Sequence, residues 1–397
     1  MNISRRDWIR SASWAAGASL LASQTARAGV PPSASAPPGG LQAPNPADLL
    51  DLTDFERAAK TVMPPMTWDY VSGAAADEIT LRWNHEAYEK IRLMPRALVD
   101  VSQLDTRITL LGRELAFPIL LAPTAYQKLS HPDGELATVN GAGDAGATMV
   151  LSSFSTVTLE EVAAAARTPL WFQLYVLPDR AFTRDLVQRA ETAGYQALVV
   201  TVDTPVLGPR YRELRAKLSP PERANLRGLK IATGAQQPTE QSVFSAVLDP
   251  KLTWKDIDWL RSITKLPLIL KGIVNPADAE RAVEANVAGI IVSNHGARNL
   301  DTGPATIEAL PRVVEKVGGK MPVLVDGGIR RGTDILKALA HGANAVLIGR
   351  PYVYGLAVDG ARGVTRTVNI LRRELESAMA LCGRTSIASI DSSVLWR

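Results

Sequence analysis

Short apolar runs rich in β-branched residues recur along the chain and predict eight strands, at 119–122, 148–151, 170–174, 197–202, 266–270, 289–292, 322–325 and 345–348. Segments with helical spacing lie between them. Residues 158–166 open on a capping-box pattern, Thr158-Leu159-Glu160-Glu161, and residues 276–285 form a second clear case. Runs that are apolar throughout belong to strands buried on both faces, so a parallel sheet covered by helices is expected. Eight strand–helix units over about 250 residues match the count and size of a (β/α)8 TIM barrel, with a doubly wound sheet as the alternative. Residues 48–100 read as a helical N-terminal extension, with Phe55, Val62, Tyr70 and Val71 at roughly helical spacing. One unit breaks the rhythm. The connection between Asp203 and Leu266 is several times longer than an ordinary βα loop and is rich in Pro, Arg, Gln and Ser over 209–239. A long loop after strand four is therefore expected, acting as a lid or without regular structure.

In such a barrel the active site is built at the C-terminal ends of the strands. Those ends read Pro123-Thr124-Ala125, Ser152-Ser153, Gln173 with Tyr175, Thr201 with Asp203, Lys271, Ser293-Asn294-His295, Asp326-Gly327-Gly328 and Gly349-Arg350. A lysine, an aspartate and a histidine converging on one mouth each cost desolvation, which a barrel without a site has no reason to bear. Asp326-Gly327-Gly328-Ile329-Arg330-Arg331-Gly332 and Ile348-Gly349-Arg350 follow strands seven and eight, where barrels commonly bind phosphate. Glycines there let backbone N–H groups approach an anion, and a guanidinium offers a planar fork of donors.

His295 follows strand six and can meet Asp203 across the mouth, a pairing that suits a general base. His85 in the extension, His131 in a Ser-His-Pro-Asp loop and His341 near a helix end are weaker candidates. Arg210 and Arg298 together read as a carboxylate clamp, although either alone reads as a surface salt bridge. Tyr70 and Tyr175 can add phenolic hydrogen bonds. Gly141-Ala142-Gly143-Asp144-Ala145-Gly146 has the letters of a dinucleotide fingerprint, but a helical pattern precedes it and a strand follows, the reverse of what that motif needs. Its glycines are expected to serve helix packing and a turn.

Composition narrows the rest. At 46% hydrophobic and 21% charged, the 397 residues are neither collagen-like nor low in core-forming residues. The single cysteine, Cys382, excludes an intrachain disulfide and a cysteine-based metal cluster, and with four histidines no metal site is expected. The N-terminus reads as an address: Ser4-Arg5-Arg6-Asp7-Trp8, an apolar run over 12–22, then Ala26-Arg27-Ala28. This pattern predicts a twin-arginine signal at 1–28, recognised by the twin-arginine export machinery, cleaved after Ala28 and leading to the periplasm. A flexible linker over 29–47 and one barrel domain over 48–397 follow. Removing residues 1–28 deletes four arginines and one aspartate, so the formal charge falls from +4 to +1. No basic stripe is left to suggest nucleic acid.

The chain resembles the FMN-dependent 2-hydroxy-acid oxidases and dehydrogenases, a family that includes glycolate oxidase, lactate oxidase and mandelate dehydrogenase. The resemblance is carried by Asp69-Tyr70, Ala122-Pro-Thr-Ala-Tyr-Gln127, His131-Pro-Asp-Gly-Glu135, Phe172-Gln-Leu-Tyr175 and Thr201-Val-Asp-Thr-Pro205. Its most specific part is Ser293-Asn-His-Gly-Ala-Arg298 together with Asp326-Gly-Gly-Ile-Arg-Arg-Gly332. The resemblance implies FMN as cofactor, His295 as base oriented by Asp203, and Arg210, Arg298, Tyr70 and Tyr175 on the substrate. It places Lys271 near the flavin N1 region, and Pro123, Thr124, Ala125, Ser152, Gln173, Thr201 and Ser293 along the ring and ribityl chain. Asp326 would take the ribityl hydroxyls, with Gly327, Gly328, Ile329, Arg330, Gly349 and Arg350 around the phosphate. The implied reaction turns a small L-2-hydroxy acid into the 2-oxo acid and passes electrons to oxygen, a quinone or a cytochrome, in a chain that is commonly tetrameric. Phe154, Tyr126 and Asn299 depart from the glycolate-oxidase pattern of Trp, Met and Gln, which leaves the substrate side chain open and admits aromatic acids such as mandelates. A flavin-free aldolase or isomerase barrel and an FMN-binding protein without turnover are the alternatives.

Overall fold

All eight expected strands form in the computed structural model, which describes residues 45–229, 244–245 and 247–396. The expected signal, residues 1–28, lies outside the described residues, as does the linker up to residue 44. The described chain begins with a 3₁₀ turn, Pro46–Asp48, held by the Arg366 guanidinium, which donates to the carbonyl of Ala47 at 2.8 Å and to that of Pro46.

The N-terminal extension forms α1 (Leu52–Val62), α2 (Pro65–Ser72) and α3 (Ile79–Lys90), followed by a hairpin of β1 (Ile108–Leu110) and β2 (Arg113–Leu115). The barrel comprises β3 (Ile119–Leu121), β4 (Thr148–Ser152), β5 (Leu170–Leu174), β6 (Leu198–Thr201), β7 (Leu268–Lys271), β8 (Gly289–Val292), β9 (Val323–Val325) and β10 (Ala345–Ile348). Neighbouring strands pair in parallel, and β10 pairs with both β9 and β3, so the sheet closes and the doubly wound alternative is excluded. The covering helices are α4 (Glu135–Ala145), α5 (Leu159–Ala165), α6 (Arg180–Thr192), α8 (Trp254–Ile263), α9 (Pro276–Glu284), α10 (Thr306–Val317), α11 (Gly332–Ala340) and α12 (Arg350–Leu381), the last interrupted at Asp359–Gly360, while the short α7 (Tyr211–Ala216) packs on α2 within the connection after β6.

Period-two alternation sorts each strand into two environments. Leu120, Val150, Trp171, Val199, Ile269, Ile291, Leu324 and Leu347, one from each strand, form the cluster inside the barrel. Leu110 of the hairpin joins that cluster, so the hairpin closes the N-terminal end. The intervening residues, such as Ile119, Leu121, Met149 and Leu151, pack outward against the helices.

Two expectations need correction. Val62 keeps helical spacing with Phe55 but is exposed while Phe55, Tyr70 and Val71 are buried, because it is the last residue of α1 and Met63, just past the helix end, takes the buried place. The connection after β6 is not without regular structure either. Its described residues hold α7, the buried turn Ala224–Leu226 and the covering helix α8. The glycine run at 141–146 serves packing, as expected: a Cβ on Gly141 would lie 2.4 Å from the Ala361 carbonyl of α12, and Gly146 caps α4 with φ of +76°.

Candidate active site

The inward residue two positions beyond each interior apolar residue reaches the C-terminal mouth, which yields Ala122, Ser152, Gln173, Thr201, Lys271, Ser293, Asp326 and Gly349. Burial forces the polar members to satisfy one another. Ser152 Oγ donates to Gln173 Oε1 (3.1 Å) and Gln173 Nε2 to Thr201 Oγ1 (2.9 Å). Lys271 Nζ donates to Ser293 Oγ (2.7 Å) and pairs with Asp326 Oδ2 (2.9 Å), both side chains being almost fully buried. The other carboxylate oxygen of Asp326 has no partner among the described residues.

His295 sits in a strained loop. His295, Gly296 and Ala297 all adopt left-handed φ values, 59°, 62° and 63°, which cost energy at the two residues that are not glycine. The loop is held by Asn294, whose amide exchanges hydrogen bonds of 3.0 and 2.8 Å with that of Asn84 in α3. A carboxylate can only accept, so the 2.9 Å contact between His295 Nδ1 and Asp203 Oδ1 places the ring proton on Nδ1. Nε2 is left as the acceptor, 3.3 Å from the Tyr175 hydroxyl. Burial pulls the His295 pKa below its usual 6.5, outweighing the opposing pull of Asp203. Burial raises the Asp203 carboxyl, but His295, Lys271 and Thr204 together bring it below 3.8. The ground state is thus neutral imidazole beside carboxylate.

Gly272 makes this pair possible. Its φ is +114°, and a Cβ there would lie 2.4 Å from that of Asp203.

Arg210 and Arg298 also meet. Arg210 Nε donates to the Arg298 carbonyl (3.1 Å), while Arg298 Nη1 donates to the carbonyls of Tyr70 (2.6 Å) and Gly73 (3.0 Å). Glu213 of α7 lies against both, 3.5 Å from Arg210 and 3.3 Å from Arg298. Burial and the nearby Arg210 lower Arg298 to about 10, which still leaves it cationic at neutral pH. Burial pushes the Tyr70 hydroxyl up to about 12, so it is a donor throughout the physiological range.

Most of these groups line one cavity of about 300 Å³. Of the residues expected to form the site, Tyr70, Pro123, Thr124, Ala125, Ser152, Gln173, Tyr175, Thr201, Arg210, Lys271, His295, Arg298, Asp326, Gly327, Gly328, Ile329, Arg330, Gly349 and Arg350 line it. Asp203 and Ser293 stand behind the wall and hold His295 and Lys271. Arg350 differs from the expected free fork. Its guanidinium donates to the carbonyls of Val71 (2.9 Å), Gly296 (3.0 Å) and Gly73 (2.7 Å), tying the extension to the His295 loop. The guanidinium is therefore committed to backbone carbonyls, which leaves the backbone N–H at the start of α12 as what this residue can offer an anion. His85, His131 and His341 are not among the lining residues.

Sequence reasoning missed Glu213 and Arg223 as lining residues. Glu213 lies three residues from Arg210, a spacing that could have revealed it; nothing local marks Arg223. The motif residues Gln127 and Glu135 are structural. Buried Glu135 accepts from the Gln127 and Thr156 amides (3.1 and 2.9 Å), which shapes the loop that carries Pro123–Ala125.

The family model of the FMN-dependent dehydrogenases matches residues 59–397. The chain is 51% identical over 348 residues to a peroxisomal (S)-2-hydroxy-acid oxidase of Oryza sativa subsp. japonica, covering 87% of this chain and 95% of that one. It is 49% identical over 356 residues to an L-lactate oxidase of Nostoc sp., covering 87% and 98% respectively. A crystal structure of mandelate oxidase superposes with a TM-score of 0.80 at 42% identity, covering 88% of this chain and 98% of the other. A closed barrel whose mouth gathers a histidine–aspartate pair and two buried guanidiniums, joined to these likenesses, makes the chain a member of the FMN-dependent dehydrogenase family: an FMN-dependent oxidoreductase acting on the CH–OH group of 2-hydroxy acids.

Proposed function

We propose that this chain oxidises an (S)-2-hydroxy acid to its 2-oxo acid, with His295 as base. The observation that carries this reading is the His295–Asp203 pair opening onto the same cavity as Arg210 and Arg298.

The residues present fit FMN. Asp326 Oδ1, buried and without a partner among the described residues, suits a ribityl hydroxyl, and the start of α12 beside Arg330 suits a phosphate. Pro123, Thr124, Ala125, Ser152, Gln173 and Thr201 would hold the ring system and ribityl chain, with Lys271 supplying positive charge next to them. Gly327, Gly328, Ile329, Arg330, Gly349 and the Arg350 N–H would surround the phosphate. Bound there, FMN supplies a two-electron acceptor.

The rest of the chemistry belongs to the side chains. Arg298 and Arg210 hold the substrate carboxylate in place of Glu213, and their donor geometry fixes its orientation. Nε2 of His295 takes the proton of the substrate hydroxyl, and the Asp203 carboxylate stabilises the imidazolium that results. The hydroxyls of Tyr175 and Tyr70 donate to substrate oxygens and stay protonated, because burial raises the pKa of both. Relatives named for (S)-2-hydroxy acids and L-lactate support the stereochemistry and substrate class.

The test is the visible spectrum of purified protein during anaerobic addition of lactate, glycolate and mandelate in turn. Bleaching of the flavin bands by one acid is expected, and a flavin-loaded protein that none of these acids reduces refutes the reading. Readmitting air, and otherwise adding a quinone or cytochrome, identifies the electron acceptor.

We also propose that residues 1–28 send the chain to the periplasm through the twin-arginine route, on the strength of Arg5-Arg6 and Ala26-Arg27-Ala28. A homotetramer is proposed from the family resemblance and is checked by light scattering.

A further inference from the structure

Building on the 2-hydroxy-acid reading, we infer that Arg223 is a specificity-determining residue that selects substrates whose side chain ends in a second anionic group. The argument starts from a collar of side chains around the cavity. Tyr175 lies 3.3 Å from His295 Nε2, its ring is 4.7 Å from that of Phe154, and the Arg223 guanidinium lies 4.5 Å from the Phe154 centroid. The collar returns through Tyr126, 5.7 Å from the guanidinium, and Tyr70, 5.8 Å from Tyr126, to Arg298, 4.9 Å from the Tyr70 ring. Two cationic points therefore face one cavity with aromatic rings between them. One is the Arg298–Arg210 clamp, and the other is Arg223.

The two differ in their electrostatic state. Arg210 and Arg298 share the Glu213 carboxylate. Arg223 pairs with no carboxylate among the described residues, and of its five N–H donors only Nε–H has a described acceptor, the Tyr126 hydroxyl at 2.5 Å. A half-buried guanidinium left with unused donors in a substrate cavity is a site for an oxyanion.

Its position is built rather than incidental. The next two residues are buried and tied to the loop after β4. Ala224 N donates to the Ser155 carbonyl (2.9 Å), Asn225 Nδ2 to Ser155 Oγ (2.7 Å), and Leu159 N to Asn225 Oδ1 (2.8 Å). Phe154 and Tyr126 alone would favour an aryl side chain. However, the Phe154 ring already packs against both Arg223 and Tyr175, so a stacking aryl group has to displace one of them.

The α-carboxylate at the clamp and a distal carboxylate at Arg223 describe a 2-hydroxy dicarboxylic acid. The test uses FMN-loaded enzyme and (S)-malate and (S)-2-hydroxyglutarate. Each is paired with a monocarboxylate of matched shape, (S)-2-hydroxy-4-methylpentanoate and (S)-2-hydroxy-5-methylhexanoate, in which an isopropyl group replaces the distal carboxylate. At least one dicarboxylate is expected to exceed its partner in kcat/KM by about tenfold or more, the scale of one charge-assisted hydrogen bond. Arg223→Met is expected to remove that preference while leaving the monocarboxylates within about threefold, and Arg223→Lys to keep part of it. Dicarboxylates no better than their partners in the wild-type enzyme, or an Arg223→Met variant that loses both classes equally, overturn the proposal. Turnover of monocarboxylates without a dicarboxylate preference overturns this inference alone, whereas flavin that no 2-hydroxy acid reduces overturns the proposed function beneath it.

Discussion

Replacing Asp203 by Asn preserves the shape of the side chain and removes one charge, so it isolates what the carboxylate does for His295. Two effects follow from the 2.9 Å contact. In the ground state a hydrogen bond to a charged group, about 1.5–3 kcal/mol, becomes a neutral one, about 0.5–1.5 kcal/mol. As the reaction proceeds the imidazole gains a proton, and a full charge pair at that separation is worth about 6 kcal/mol at an effective dielectric of 20. Solvent reorganisation and the other cations of the cavity reduce that figure, so a loss of about 3–5 kcal/mol in transition-state stabilisation is expected, a fall of roughly 100- to 5,000-fold in kcat/KM. The carboxylate also raises the His295 pKa against burial, so its removal shifts the acid limb of the pH profile to lower pH. The assay is steady-state kcat/KM against pH, with flavin absorbance and thermal unfolding confirming a loaded, folded variant. A loaded Asp203→Asn enzyme within threefold of wild type, with an unmoved acid limb, refutes the assigned role.

Four further outcomes are expected. In the wild-type enzyme kcat/KM falls with decreasing pH through a pKa below 6.5 and is level above it, because the base must be neutral and burial favours the neutral form; an acid limb centred above pH 7 contradicts this. Gly272→Ala drives Asp203 away from His295 and costs activity at least tenfold while flavin remains bound, read by activity per bound flavin. Gly141→Ala sets a helix-propensity gain of about 1 kcal/mol against overpacking on α12 of about 1–3 kcal/mol, so a net loss of stability by denaturant titration is expected. Replacing Arg5 and Arg6 by lysine leaves an uncleaved precursor inside the cell, read by fractionation and intact mass, and normal export of that variant sinks the twin-arginine proposal.

The barrel was legible because its signal is local. Runs such as 289–292 and 345–348 are apolar throughout and separated by helical spacing, and burial on both faces is what such runs require. Much of the site was legible for the same reason. A strand's period of two carries an inward Ile269 to an inward Lys271, and an inward Leu324 to an inward Asp326, so a polar residue two places beyond an apolar one must stand at the mouth. The burial of the N-terminal helices was less legible, because Val62 keeps helical spacing with Phe55 but ends α1, and Met63 just beyond it takes the buried place.

The sequence by itself determined which chemical groups stand at the strand ends, and through its motifs the family and its cofactor. It could not determine what lies between elements far apart in the chain. Glu213 beside two arginines, the Arg350 side chain committed to three carbonyls, and Arg223 on Phe154 and Tyr126 all depend on how loops cross the mouth. Loop paths are set by long-range contacts such as Asn225 with Ser155 and Asn84 with Asn294, which follow no periodicity. Directions along a strand are written into local geometry, but which loop donates the last wall of a cavity is decided only when the whole chain closes.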